Sequence, residues 1–398
     1  MHTNNKLPNH VYFLLIGQSI NLTTAVLSVT VAALVGLSLA PTVSYATIPY
    51  GLQFLAILVS TVLFSKLMKK FGRYRIFNAG IGFLFLSGII GFLSLIDNNF
   101  LYLCLSHFLL GLFISTANFY RFAATDTINS ELIPKATSMV ISGGVFAAIV
   151  APLLAINLAK ASDLPDYSLI YLALSALAII LFVIIHLWNR ANVRHGKSSL
   201  KIKTVPLNAT EVRKYIIVIG ILGGALGYYI MNLMMIASSL FLKQSHSFDY
   251  ASYAIQMHVL AMFLPSFFVA KIINLVNSVN TIILGFVLIS ISCLLPIIFV
   301  DTIFINIALV ILGIGWNFTY SGGSTLLSNI QGERRLRFQG INETVIAFFA
   351  TLGAFLPAPI LSYFGWINTN LVFFIFSISI SALFILFVFA FKKKLLIE

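Results

Sequence analysis

A few side chains with acid–base or ion-pairing chemistry lie in long apolar stretches of the sequence. They are His107, Arg121, His258 and Glu343, with Asp126 just beyond the stretch that contains Arg121. A charged residue at the centre of a membrane-spanning helix costs about 2.5 to 3.5 kcal/mol on the mildest scale, so such residues are rare and usually functional. Proton binding, ion pairing and contact with a polar ligand are the chemistries that these side chains offer.

Arg121 and the two histidines also have a purely structural explanation. Arg121 can extend along its aliphatic stem to the membrane surface, or it can contact a buried partner. His107 and His258 titrate near neutral pH when unperturbed, but buried histidines are commonly just hydrogen-bonded. Glu343 lies about one turn into its apolar stretch, where a helix N-terminus would favour its charge. We therefore predict Glu343 as the main proton-coupling residue, with His258 and His107 as secondary candidates.

The composition places these residues in a membrane. The chain is 60% hydrophobic and 9% charged, whereas a soluble protein has about 25% charged residues. A hydrocarbon core about 30 Å thick needs about 20 apolar residues for each crossing helix. The sequence therefore predicts an all-α membrane protein with twelve transmembrane helices, at residues 11–37, 43–65, 76–96, 101–124, 137–158, 169–188, 215–242, 251–270, 281–300, 303–327, 339–361 and 369–391.

Lys and Arg accumulate in alternate loops between these spans. With a cytoplasmic N-terminus, all of the 24 basic residues except Lys160 and Lys243 fall on the cytoplasmic side. Because positive loops are retained inside, we predict a multi-pass protein of a bacterial inner membrane with both termini in the cytoplasm. The net charge of +13 then reflects topology and contact with membrane lipid, since no compact basic domain is present to bind nucleic acid.

The chain also divides into two similar halves around its one long polar segment. We predict an N-terminal six-helix bundle at 1–188, a basic cytoplasmic linker at 189–214 and a C-terminal six-helix bundle at 215–398. An offset of about 202 residues superposes Gly111 on Gly313 at equivalent places in the two halves. Such parallel repeats predict two pseudo-symmetric bundles with a substrate site between them near the middle of the membrane.

The loop after the second span carries the motif "SKLMKKFGRYR" at 65–75. It resembles the loop between the second and third helices of the major facilitator superfamily of secondary transporters, which reads Gly, three residues, Asp, a basic residue, any residue, Gly and more basic residues. Ser65 replaces the first Gly and Lys69 replaces the Asp, which in that family helps to lock the inward gate. Besides a role in topology, the resemblance implies a gating role for the charged loops, with the candidates Lys69, Lys70, Gly72, Arg73, Arg75, Arg121 and Asp126.

The inverted charge at Lys69 leads to a specific hypothesis. Lys69 or Arg73 is expected to pair with Glu343 or with Asp126 when the carrier is closed to the cytoplasm. A pair that forms in only one state shifts the equilibrium between the two states.

Two further segments resemble the same family. His107 occupies the place of an Arg that often lies four residues before a Gly in the fourth helix, here Gly111. The fifth span reads "SGGVFAAIVAPLLA", a degraded form of a motif that accompanies antiport in the family. Small residues at this spacing also let helices approach closely, and we predict a packing face made of Gly143, Gly144, Ala147, Ala151, Pro152 and Ala155.

Neutral polar and aromatic residues within the spans are the candidates for a substrate cavity. Gln18 and Asn21 are three residues apart and therefore share a helical face. Polar faces on apolar helices line a cavity or bond to other helices, and in the resembled family spans one, seven and ten line the pore. The predicted cavity residues are Gln18, Asn21, Gln53, Asn232, Gln256, Trp316, Asn317 and Tyr320.

The resemblance implies a secondary active transporter that moves a small organic solute by alternating access, coupled to protons. The solute class stays open between drugs, vitamins and metabolites. No nucleotide-binding, metal-binding or nucleophile motif is present, so we expect no cofactor, no metal and no enzymatic activity. A membrane enzyme using His107, His258 and Glu343, or a non-transporting sensor, is the alternative. We expect solute, protons and membrane lipid as partners of a monomer.

The predicted orientation can be tested by labelling cysteines in intact cells. A cysteine placed in the loop at 159–168 should react with an impermeant thiol reagent added outside, because that loop is predicted to face out. A cysteine at position 198 should react only after the membrane is permeabilised. Equal labelling of both positions in intact cells would contradict the orientation.

Overall fold

The computed structural model describes residues 7–128, 136, 139–159, 164–198, 214–245, 248–299, 301–328 and 333–395. The described residues form helices and turns, with no strands among them. The chain folds into two compact units, Met1–Pro206 (unit 1) and Leu207–Glu398 (unit 2). The predicted linker at 189–214 stays a prediction, because residues 199–213 lie outside the described part of the chain.

In unit 1, short turns join long helices in an up-and-down order. The turn after Ile96 is typical, because Asn99 caps the next helix by accepting from the backbone N–H groups of Leu101 and Tyr102. The helices are α1 (Asn9–Leu39), α2 (Ile48–Phe71), α3 (Arg73–Ile96), α4 (Phe100–Ala117), α5 (Tyr120–Ala123), α6 (Gly143–Leu158) and α7 (Ser168–Ser198).

Unit 2 repeats this arrangement, with one span broken into two shorter helices. The helices are α8 (Lys214–Ser245), α9 (Phe248–Phe263), α10 (Val269–Val276), α11 (Ser278–Ile298), α12 (Thr302–Ser328), α13 (Glu333–Phe355) and α14 (Pro357–Leu395).

The helices account for the twelve predicted spans. Ten helical segments of the described chain are long and apolar enough to cross a membrane, and two shorter apolar helices, Tyr253–Phe267 and Ile341–Phe355, stand where the eighth and eleventh spans are predicted. The all-α, twelve-helix fold class is therefore confirmed, and the chain is a multi-pass membrane protein.

Several predicted boundaries are wrong, each for a local reason. The eighth span does not run unbroken from 251 to 270, because the helix stops at Phe263 and a 3-10 turn containing Pro265 follows. The eleventh span does not continue to 361, since α13 ends at Phe355 and residues before a proline, here Pro357, disfavour helix. Gly365, with φ of 73°, bends α14 by a backbone conformation that suits glycine. The apolar segment of the sixth span extends to Val193 rather than 188, and its helix α7 continues to Ser198.

The same helix pairs pack in both units, which gives the internal repeat a structural basis. In each unit the fourth span packs on the second and third, the sixth on the first and third, and the fifth on the first. Gly111 of α4 lies against the backbone carbonyl of Gln53 in α2, and Gly313 of α12 lies against that of His258 in α9. The two glycines superposed in the sequence therefore make the same close helix contact.

We expect Gly111→Ala to destabilise the protein, because the added Cβ would overlap the Gln53 carbonyl oxygen. Overpacking of this kind typically costs about 1 to 3 kcal/mol. Gly82→Ala is the matched control, since a Cβ there has nothing within 4 Å. Thermal unfolding in detergent should show a lower Tm for the first variant only; equal Tm values would contradict the close contact.

Candidate functional site

A buried polar network connects four helices of unit 1. The Ser28 hydroxyl of α1 donates to Oε1 of Gln53 in α2, and His107 Nδ1 of α4 lies 3.1 Å from the same oxygen. His107 Nε2 lies 3.0 Å from the hydroxyl of Tyr171 in α7. All four side chains are at most 2% exposed. The network therefore replaces the water that these polar groups lose in the membrane.

The network is satisfied by a neutral His107. Oε1 of Gln53 accepts, so Nδ1 carries the proton, and Nε2 is left to accept from the Tyr171 hydroxyl. His107 of α4 is therefore hydrogen-bonded to both α2 and α7.

Unit 2 also buries a histidine between the corresponding helices. His258 of α9 is fully buried, and its Nδ1 lies 2.7 Å from the backbone carbonyl of Leu309 in α12. Leu309 is 202 residues after His107, the offset that relates the two halves. Each unit thus places one histidine between its second and fourth spans, but on opposite helices of the pair.

Asn317 forms hydrogen bonds to both sides of the break in the eighth span. α9 ends at Phe263, one residue after Met262, and a 3-10 turn that contains Pro265 follows. Nδ2 of Asn317 donates to the backbone carbonyl of Met262 at 2.7 Å and to the Ser266 hydroxyl at 2.8 Å. Asn317 is 2% exposed, so this predicted cavity residue holds an irregular backbone segment together inside the protein.

Beside Asn317, four aromatic rings of unit 2 form a cluster. The rings of Trp316 and Tyr320 stack with centroids 5.1 Å apart and planes at 15°. Tyr228 of α8 and Phe263 of α9 meet the Trp316 ring edge-on, at 5.6 Å and 6.1 Å. We call Tyr228, Phe263, Trp316 and Tyr320 the ring cluster.

Glu343 lies next to the ring cluster. It is half-buried. Both Glu343 and Tyr320 interact electrostatically with Tyr228. The helix that carries Glu343 begins at Glu333, so the carboxylate lies ten residues, about 15 Å, from the N-terminus. The expected stabilisation by a nearby helix N-terminus is therefore wrong, although Glu343 does lie in the first turn of the apolar segment Ile341–Phe355.

Two of the other predicted cavity residues, Asn21 and Asn232, form hydrogen bonds within their own units. Asn21 Nδ2 is 3.4 Å from Gln18 Oε1, which places the two on one face of α1. Asn232 donates to the backbone carbonyl of Ala350 at 3.0 Å and so joins α8 to α13. Gln256 is buried in α9.

The charged loop after α2 makes one clear ion pair. The Arg73 guanidinium binds both carboxylate oxygens of Asp126, with Nη2 and Oδ1 2.8 Å apart. Both residues are partly exposed and belong to unit 1, so an ion pair of this kind is worth about 1 kcal/mol or less. One of the pairings that the sequence leaves open is therefore present.

The remaining gating candidates make other contacts or are exposed. Lys69, Lys70 and Arg75 are exposed, and the Lys70 amine lies 5.1 Å from the centre of the Phe71 ring. Gly72, with φ of 82°, turns the chain between α2 and α3. Arg121 is half-buried with its guanidinium 4.8 Å from the Phe122 ring centre.

The small residues of the fifth span form one buried face. α6 packs on α1, and a Cβ on Gly143 would lie 2.9 Å from the backbone nitrogen of Ser19. The buried residues of α6 include Gly143, Gly144, Ala147, Ala151, Pro152 and Ala155.

Four side chains of the His107 network and the ring cluster were not predicted from the sequence. Ser28 and Tyr171 complete the His107 network, and Tyr228 and Phe263 complete the ring cluster. Hydroxyl and aromatic residues are common in apolar spans, so no local signal separates these from lipid-facing ones. Tyr228 directly follows the glycine-rich run "GGALG", and this run is the one local feature of the sequence that distinguishes it.

The fold and sequence together identify the family of the chain. The family model for the major facilitator superfamily matches residues 14–331. The chain belongs to the major facilitator superfamily. It is a transport protein rather than an enzyme, and its substrate is a small molecule. Within the described residues, no group of three His, Cys, Asp or Glu side chains is placed to hold a metal ion.

The similarity to known transporters extends over nearly the whole chain. The riboflavin transporter RfnT of Brucella anthropi is 28% identical over 365 residues, 91% of each chain. An MFS-type transporter of Bacillus subtilis, YdeG, is 26% identical over 86% of this chain and 84% of its own. The crystal structure of the nucleoside transporter NupG covers 95% of this chain and 98% of its own, with a TM-score of 0.69 and 14% identity, which shows a shared fold.

The His107 network predicts a loss of stability when its centre is removed. His107→Leu leaves the buried Tyr171 hydroxyl without its acceptor, which typically costs about 1 to 3 kcal/mol. His186→Leu is the matched control, because His186 is only half-buried and bonds to Tyr74. Thermal unfolding should give a lower Tm for the first variant. If His107→Leu instead keeps its Tm but loses the pH dependence of transport, His107 binds a proton.

Proposed function

We propose that this chain is a proton-coupled transporter of the bacterial inner membrane, with both termini in the cytoplasm, that carries riboflavin or a solute with a similar planar ring. The observation that carries the proposal is the similarity to a riboflavin transporter across 91% of both chains. A similarity of that extent supports a shared transport framework and, with it, a shared class of solute.

The chemistry of unit 2 suits such a solute. Riboflavin combines a flat aromatic ring system, which has hydrogen-bonding groups along its edge, with a polyol chain. The ring cluster supplies aromatic surface, and rings of this kind favour stacked or edge-on contact with another ring. Among the solutes that the sequence leaves open, a ring-bearing vitamin is therefore favoured over an aliphatic metabolite.

Glu343 is the residue that we propose for proton coupling. Ionisable groups within spans face the protein interior or a water-filled cavity, where they mark ion and proton pathways. Glu343 is half-buried and interacts with Tyr228 of the ring cluster. Protonation of this carboxylate therefore changes the charge beside the aromatic surface, which is the physical link that coupling requires.

Transport by the purified protein in liposomes tests both parts of the proposal. Radiolabelled riboflavin should accumulate in wild-type liposomes when a pH gradient is imposed. Glu343→Gln should lose this accumulation but retain exchange of riboflavin across the membrane, because a neutral amide cannot carry the proton. Asp97→Asn, which changes an exposed carboxylate in the turn after α3, is the matched control and should behave as wild type.

Two results would contradict the proposal separately. Riboflavin uptake no greater than that of empty liposomes would show that the solute is wrong. Accumulation by Glu343→Gln at full rate and with full pH dependence would show that Glu343 is structural.

A further inference from the structure

The aromatic clusters of the two units differ in one important respect. In unit 1, Trp188 contacts Phe77, which in turn contacts Tyr120, and these side chains are 3%, 0% and 0% exposed. In the ring cluster, Trp316 is 6% exposed, but Tyr228 and Tyr320 are only half-buried. The first cluster is closed packing, whereas the second keeps part of the surface of two tyrosines accessible.

The neighbouring carboxylate indicates which environment those tyrosine surfaces meet. A half-buried Glu343 is not expected to face lipid, since ionisable groups in spans avoid the hydrocarbon and border the protein interior or water. Glu343 and Tyr320 both act electrostatically on Tyr228, so the three side chains lie near one another. We therefore expect the accessible ring surface to border a polar space rather than the bilayer.

The ring cluster is also held firmly in position. Trp316 stacks on Tyr320 one helical turn along α12, while edge contacts from Tyr228 and Phe263 tie it to α8 and α9. Next to it, Asn317 bonds to the end of α9. A rigid aromatic surface loses little conformational entropy when a ligand binds, which favours recognition by stacking.

One polar group of the cluster, the buried indole N–H of Trp316, is left without a hydrogen bond within the described part of the chain. Among the described residues, Trp316 Nε1 has no acceptor, although the indole N–H is a hydrogen-bond donor. Buried polar groups are almost always bonded to protein or water. The half-buried carboxyl of Glu343, rather than this enclosed donor, gives the accessible aromatic surface its polar edge.

We propose that Tyr228 and Tyr320, backed by Trp316, form a stacking subsite for a planar, nitrogen-containing ring of the transported solute, with Glu343 at its polar edge. This inference rests on the proposed function and extends it, because it assigns ring recognition to named residues of unit 2. A flat heterocycle satisfies both parts of the subsite, since its face stacks on phenol rings and its edge carries donors and acceptors. A polyol or an aliphatic amine satisfies only the edge.

Binding of riboflavin to the purified full-length protein tests the subsite, because flavin fluorescence is quenched when the ring stacks on an aromatic side chain. Tyr320→Leu and Tyr228→Leu should each weaken binding by about tenfold, the loss expected from one stacking partner. Tyr320→Phe keeps the ring and should bind riboflavin more tightly than Tyr320→Leu does. Tyr363→Leu is the matched control, because Tyr363 also belongs to an aromatic pair of unit 2 but is 84% exposed.

Competition on the wild-type protein gives a second readout that needs no variant to fold. Lumichrome, which is the ring system without the polyol, should displace riboflavin, whereas ribitol, which is the polyol alone, should not. Displacement by ribitol and not by lumichrome would overturn the subsite.

The outcomes separate this inference from the proposed function. Riboflavin binding that is unchanged in both leucine variants overturns the subsite and leaves riboflavin transport standing. Lumichrome binding that weakens in those variants, without riboflavin transport, supports the subsite and removes riboflavin as the solute. Binding of neither compound to the wild-type protein overturns both.

Discussion

A lipid bilayer offers no hydrogen-bond partners, and this constraint governs every polar group within the spans. Asn317 shows the consequence most directly: it donates to the Met262 carbonyl where the eighth span breaks before Pro265. Asn232 of α8 donates to the backbone carbonyl of Ala350 in α13. In both units, polar side chains therefore join neighbouring helices, and close glycine contacts such as that of Gly111 let the backbones approach.

The same constraint distinguishes polar residues whose bonds are satisfied by packing from those that remain candidates for a function. The His107 network is fully buried, and each of its ring nitrogens has a partner, so it holds four helices of unit 1 together. Glu343 differs because it is only half-buried, has an ionisable side chain and lies beside half-buried tyrosines. A polar group that folding leaves partly exposed is a better candidate for binding a solute or a proton than one that folding has enclosed.

The ion pair of Arg73 and Asp126 lies inside unit 1, near the turn at Gly72. Because both partners belong to one unit, the pair joins the start of α3 to the segment after α5 within that unit. Its dependence on the state of the carrier, the role of Lys69 in topology and the pairing of Lys69 with Glu343 all stay predictions.

The sequence by itself determined the membrane class, the number of spans and the repeat of two halves, because hydropathy and residue spacing are properties of neighbouring residues along the chain. It also picked out Glu343, since a carboxylate in an apolar run is conspicuous. Only the tertiary structure decided the partners of His107, which lie 54 and 64 residues away, and the contacts that join Tyr228 to Trp316. Contacts at that separation depend on how helices pack, and tyrosines that line a site have the same local pattern as tyrosines that fill a core.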